Sequence, residues 1–260
     1  MRSDLKRAWQ AGSKDNIGII AAGMAYYALL ALIPALGAMV LAYGLFADPA
    51  TVASHVTFLT GNLPPSAAQL IAGQLEDVSQ GAEGTQGLGL IASLAIALVG
   101  ARNGAGSLMT GLNIVFHADN SRSFIRGNLV ALAITAAGLV GLLVSGMIAG
   151  ALASLQGFAG TLASLLVLAG ASVTAAALVY RCAPNAPAPE WNAIWPGAVL
   201  FGLLWLVGTA AFAFYAANFG SYNATYGTLG AVLALITWFW LTGFLLLLGA
   251  ELVAERGGRD

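Results

Sequence analysis

Long apolar runs separated by short polar segments dominate this chain. Six stretches have about the 20 mainly apolar residues that a helix needs to cross roughly 30 Å of hydrocarbon. They are Ile17–Phe46, Gly84 to about Ala101, Asn128–Leu155, Thr161–Tyr180, Pro196–Phe219 and Tyr226–Ala250. None alternates with period two, and backbone groups in lipid must pair within their own segment, so helices are predicted and not barrel strands. The pattern specifies an all-α, polytopic membrane protein with six transmembrane helices in a single integral membrane domain, residues 1–260.

Polar positions between the spans set the orientation. Arg2, Lys6, Arg7 and Lys14 precede the first span, Arg122 and Arg126 lie between the second and third, Arg181 follows the fourth, and Arg256 and Arg259 follow the sixth. The segments 47–83, 156–160 and 220–225 hold no lysine or arginine. Cations accumulate on the cytoplasmic side, which predicts both termini there, as an even number of spans requires.

The first external segment, 47–83, is expected to carry two short amphipathic helices, because Val52, Val56 and Leu59, then Ile71, Leu75 and Val78, recur at helical spacing. The last external segment joins spans five and six as a hairpin turning at Gly220 and Gly227. Tyr215, Phe219, Tyr222 and Tyr226 suit an aromatic belt at the headgroups. Alternatively, Asn218, Ser221, Tyr222, Asn223 and Thr225 line an external vestibule or plug.

Three interruptions inside or beside the spans carry candidate chemistry. Pro34 removes a backbone donor and predicts a kink near Leu30, with Tyr26 and Tyr27 two turns earlier as an internal polar site. A straight helix through "LVGARNGAGSLMTGLNIVF" would set Arg102 and Asn103 near the bilayer centre, at about 2.5–3.5 kcal/mol for the arginine alone. The expected solution is an elbow: the second span ends near Arg102, Gly104 and Gly106 bend the chain, and residues 103–116 form a cytoplasmic interfacial helix bearing Asn113. In "YRCAPNAPAPEWNAIWPGAVL", Pro196 is placed in the first turn of span five, with Trp191 and Trp195 anchoring its start. Glu251 lies near the inner interface, where it pairs with Arg102, takes up protons or points to water, the last being the default.

Composition agrees with the pattern. Hydrophobic residues make up 59% and charged residues 8%, with a mean hydropathy of +0.83, far from a soluble domain. The ten basic residues are scattered, so no nucleic-acid surface is expected. His55 and His117 lack metal-ligand spacing, and neither a metal nor a cofactor is predicted. Cys182, the single cysteine, is expected to pack as a small apolar residue. Gly146 and Gly150, and again Gly100 and Gly104, have the small-xxx-small spacing of close helix packing.

The ordered set "AAGMAYYALLALIPAL", "GLNIVFHADNSRSFIRG", "YRCAPNAPAPEWNAIWPGAVL" and "FYAANFGSYNATYGTLGAVLALITWFWLTGFLLLLGAELVAE" resembles the YihY/BrkB family of bacterial inner-membrane proteins, once labelled ribonuclease BN, over nearly the whole chain. Ala31 stands where that family usually has a serine, and the exit after the elbow is less basic than is typical. The resemblance implies a six-helix protein of the bacterial inner membrane, for which export of lipid-linked or ionic substrates has been proposed. Phosphodiester hydrolysis requires clustered carboxylates or a histidine pair, and none is apparent, so no enzyme is expected. The leading expectation is a transporter or flippase-like exporter whose substrate-binding candidates are Arg102, Asn103, Tyr26, Tyr27, Asn113, Asn218, Tyr222, Asn223, Tyr226 and Glu251. The alternative is a non-transporting envelope scaffold, and a homo-oligomer is open in either case. Membrane lipids are partners in both.

Overall fold

The computed structural model describes residues 2–46, 85–118, 123–153, 157–218 and 228–258. All regular structure among them is helical: α1 Arg2–Lys14, α2 Ile17–Phe46, α3 Thr85–Val115, α4 Phe124–Ala153, α5 Phe158–Cys182, α6 Trp191–Asn218 and α7 Thr228–Gly257. The amphipathic external helices expected over 47–83, and the hairpin residues Gly220, Tyr222, Asn223, Tyr226 and Gly227, lie outside the described residues.

Three of these helices are long and apolar enough, among the described residues, to cross a membrane: Phe158–Cys182, Trp191–Tyr215 and Val232–Gly257. Apolar side chains remain exposed around the bundle, Val207 at 68%, Met147 at 74% and Leu166 at 64%. Such a surface is unstable in water and stable in hydrocarbon. Helices α3 to α7 also extend beyond their apolar stretches on the side of the basic residues; α3, for example, continues to Val115 and α7 to Gly257. Hydropathy marks the edge of the hydrocarbon, whereas the hydrogen-bonded ladder continues past it.

Helix α7 is the hub, packing on α1, α2, α3, α5 and α6, while α4 lies between α3 and α5. The core is densest where α5, α6 and α7 meet, with Tyr180, Ile194, Ala198, Leu247 and Val253 fully buried. Glycine permits the close approach. A Cβ on Gly197 would overlap the backbone carbonyl of Gly249, and one on Gly249 would overlap the Tyr180 hydroxyl. That hydroxyl donates to the Leu246 carbonyl at 2.8 Å. Farther along the α6/α7 seam, Trp205 Nε1 donates to Thr242 Oγ1 at 3.1 Å and Trp238 Nε1 to Thr209 Oγ1 at 3.4 Å. Each bond pairs a polar atom within an apolar seam.

Several expectations are corrected. No elbow forms at Gly104 or Gly106, because α3 runs unbroken from Thr85 to Val115. Breaking a ladder at membrane depth leaves backbone groups unpaired at several kcal/mol each, whereas Arg102 needs only side-chain partners. Helix α2 stays helical on both sides of Pro34, as a proline kink allows. Pro196 stands inside α6, which begins at Trp191; the Glu190 carbonyl accepts the first amides, from Ala193 and Ile194, at 3.0 and 3.1 Å. Of the glycine pairs, Gly100 makes a close crossing, where a Cβ would come within 2.8 Å of Ala31 Cα, but Gly104, Gly146 and Gly150 face open space. Cys182 is exposed, not packed.

Helix α1 was not expected. The basic segment 2–14 reads as a charged approach to the first span, yet Leu5, Ala8 and Ala11 recur at helical spacing, and Ala8 and Ala11 are buried. The helix lies along the end of α7, with Arg7 Nε 3.3 Å from Glu255 Oε2 and Arg256 Nη2 3.3 Å from Asp4 Oδ2. Surface ion pairs of this kind contribute at most about 1 kcal/mol each, so the buried alanines provide most of the adhesion.

The Gly197 contact is with backbone and cannot be relieved by a rotamer change. Gly197→Ala is therefore expected to cost about 1–3 kcal/mol and to lower the midpoint of thermal unfolding in detergent. Gly146→Ala, which meets open space, should leave it unchanged or slightly raised. Equal midpoints for the two variants would show that the α6/α7 approach is looser than described.

Candidate functional site

One face of α3 carries the polar residues Asn103, Ser107, Thr110 and Asn113, spaced three or four apart so that they align, with Arg102 next to Asn103. Opposite it, the first turns of α4 present Ser123, Gly127 and Asn128. Tyr27 of α2 and Asn185 of the segment after α5 complete a cavity of about 540 Å³ between them. Arg102 is its only charged lining residue among those described, and no carboxylate lines it.

Arg102 is held by amides. Its Nε donates to Asn128 Oδ1 at 2.8 Å, and its Nη1 donates to Asn103 Oδ1 at 2.9 Å. Both acceptors are neutral amide oxygens, and they orient the guanidinium. Thr110 Oγ1 donates to the Gly106 carbonyl at 2.9 Å. Gly106 leaves the wall open, since a Cβ there would meet nothing within 4 Å.

Of the residues singled out in the sequence, Arg102, Asn103, Tyr27 and Asn113 come together in this cavity. Tyr26 does not line it; it is 53% exposed and stands edge-on to Tyr27. Asn113 is buried, and its Oδ1 accepts the backbone N–H of Asn185 at 2.7 Å, a structural use of a group expected to meet substrate. Glu251 neither points to water nor lines the cavity: it is fully buried, and a Cβ on Gly12 of α1 would lie 3.5 Å from its Cγ. Hydropathy alone places Glu251 in solvent, because the charges of α1 conceal the helix that covers it. Asn218 closes α6, and the hairpin candidates lie outside the described residues.

Asn128 and Asn185 were missed. Asn128 marked only the start of a span, although it follows Arg126 in a first helical turn where polar side chains face inward or to water. Asn185 enters through its backbone, which no side-chain pattern reveals. A second and larger cavity, about 1140 Å³, lies at the same end of the bundle, between α1, the end of α7 and the segment after α5. Among the described residues no group of three histidine, cysteine or acidic side chains is placed to hold a metal ion.

The comparisons with known proteins point in one direction. A protein of Bacillus subtilis (strain 168) named as ribonuclease-like, YfkH, is 30% identical over 251 residues, covering 90% of this chain and 87% of its own. A UPF0761 membrane protein of Alteromonas mediterranea is 27% identical over 252 residues, covering 94% of this chain and 84% of its own. Another, from Pseudoalteromonas translucida, is 27% identical over 249 residues, covering 92% and 81%. No solved structure matches. The family model described as Virulence factor BrkB matches residues 8–259, from within α1 to beyond the last turn of α7, and the chain belongs to that family of membrane proteins.

Proposed function

We propose that this BrkB-family protein is a transporter that carries an anionic substrate, ionic or lipid-linked, across the bacterial inner membrane by way of the Arg102 cavity. The observation that carries the reading is that Arg102 is the one charged side chain among the described residues lining a polar cavity, where the amides of Asn103 and Asn128 orient it. Arg102 precedes the end of α3 at Val115 by thirteen residues, about 20 Å at 1.5 Å per residue. An arginine this far from the end of an apolar helix is expensive in a membrane, and such residues mark ion or substrate pathways. A guanidinium is complemented by an anion of suitable size and not by a neutral or cationic substrate.

In this reading α2 to α7 are six membrane crossings and both termini are cytoplasmic. Basic residues cluster where α3, α5 and α7 end, and an apolar girdle surrounds the bundle. The lining residues provide neither a nucleophile–base pair nor a metal cluster, so translocation without bond cleavage is the chemistry proposed. A scaffold role draws support from the open face at Gly146 and Gly150, which suits contact with a second copy, and it is compatible with transport.

Transport is tested in proteoliposomes with two probes, inorganic phosphate and a fluorescent short-chain phosphatidylglycerol. At least one should move, with Arg102→Ala reducing the rate tenfold or more (about 1.4 kcal/mol) at unchanged expression and thermal stability. Arg102→Lys should retain part of the rate, because it keeps the charge but not the planar two-amide grip. Movement of a probe at equal rates with and without the guanidinium would reduce Arg102 to an anchor.

Topology is tested separately. In a chain lacking Cys182, a cysteine replacing His55 should react with an impermeant maleimide on intact cells, and one replacing Ala188 should react only after permeabilisation. The reverse pattern would invert the threading.

A further inference from the structure

Arg102 is itself exposed, and it continues an exposed apolar stripe. Ala92, Ala95 and Val99, all exposed, precede it on α3 at spacings of three, four and three residues, so the four side chains follow one face of the helix. The other walls of its cavity repeat the pattern. On α4, Ile125, Leu129 and Leu132 are exposed beside the lining residues Gly127, Asn128 and Ala131; on α2, Tyr26 and Leu30 are exposed beside Tyr27. Between α3 and α4 the gap is left unfilled, since Gly106 and Gly127 line it and a Cβ on either would meet nothing within 4 Å. Asn128, whose Oδ1 accepts from Arg102 Nε at 2.8 Å, stands four residues after α4 begins at Phe124. The guanidinium is thus drawn toward the end of α4, near the exposed Arg126. Long basic side chains in membranes reach toward the headgroups in this way.

We propose that the Arg102 cavity opens sideways into the bilayer and takes the phosphate headgroup of an anionic phospholipid of the inner leaflet, whose acyl chains stay in the hydrocarbon outside. The inference rests on the Arg102 cavity being the substrate site, and it assigns that site the lipid-borne anion rather than the free one. At the guanidinium the chemistry is shared, a phosphate oxyanion on a planar fork of donors. The approach differs. A hydrated ion that arrives across an apolar rim sheds its water before it meets Arg102, at a cost on the order of several kcal/mol. A phospholipid moves only its headgroup, and its chains remain beside side chains such as Val99 and Leu129 that are exposed to hydrocarbon in any case. Two cations close together, Arg102 and Arg126, favour an anionic headgroup over a zwitterionic one.

The test uses the full chain in phosphatidylcholine nanodiscs, with Cys182→Ser as background. A bimane fluorophore is placed on Val99→Cys, one turn from Arg102, or on Met147→Cys, an exposed position of α4 outside the cavity lining. Bromine on a lipid chain quenches the fluorophore on contact. At Val99, dibrominated phosphatidylglycerol should reach half-quenching at a mole fraction about tenfold lower than dibrominated phosphatidylcholine, the order expected from one charge-assisted contact. At Met147 the two lipids should quench alike in every variant, which keeps an unfolded chain from being misread. Arg102→Ala should bring the two Val99 curves together, and Arg102→Lys should keep them apart. Equal quenching by the two lipids at Val99, or a preference that survives Arg102→Ala, overturns the sideways route. Relief of the quenching by millimolar inorganic phosphate assigns the site to the free anion and overturns it as well. No transport is measured, so a chain that moves phosphate by means of Arg102 yet shows no lipid preference at Val99 keeps the Arg102 reading and loses only the lipid.

Discussion

A bilayer supplies no hydrogen bonds, so every polar group taken into it must find its partner within the protein. In this chain that requirement decides more than helix count. It keeps α3 unbroken through Gly104 and Gly106, ties α6 to α7 by indole and hydroxyl donors, and brings Tyr180 close enough to α7 to use the Leu246 carbonyl. Close approach and polar pairing are the same feature here, for the Tyr180 bond needs the missing side chain of Gly249.

The same requirement produces the candidate site. An arginine and four asparagines, Asn103, Asn113, Asn128 and Asn185, are brought in from α3, α4 and the segment after α5. Two of the contacts of Arg102 are to amide oxygens, those of Asn103 and Asn128, and they orient its guanidinium in the cavity.

The sequence made the helical architecture legible because hydropathy and cation placement are both strong, long-range signals, and it marked Arg102, Asn103, Tyr27 and Asn113 because polar residues at membrane depth are rare. What it hid has physical reasons. The elbow was favoured by weighing the arginine's burial against glycine's flexibility, with Asn128, twenty-six residues away, left out of the balance. Helix α1 was hidden by its charges, although its alanine spacing was present; without α1 nothing covered Glu251, and a carboxylate near the interface was assigned to water. Both errors come from treating a segment alone when its energy is set by another.

Glu251 shows how much that coupling matters. A fully buried carboxylate is tolerated only where its surroundings compensate for lost water, and those surroundings include α1, whose Gly12 leaves room for the Glu251 stem. Any side chain at Gly12 would also press on Ile17 at the start of α2, where a Cβ would come within 2.7 Å of Ile17 Cδ1. The first thirteen-residue helix is thus part of the packed end of the bundle and not a tether ahead of it. Since Arg7 and Lys14 of that helix also line the larger cavity, the segment that shields Glu251 forms one of the walls of that cavity. A shift of α1 along α7 would alter burial of the acid and the shape of the cavity together, which makes these two features one mechanical unit.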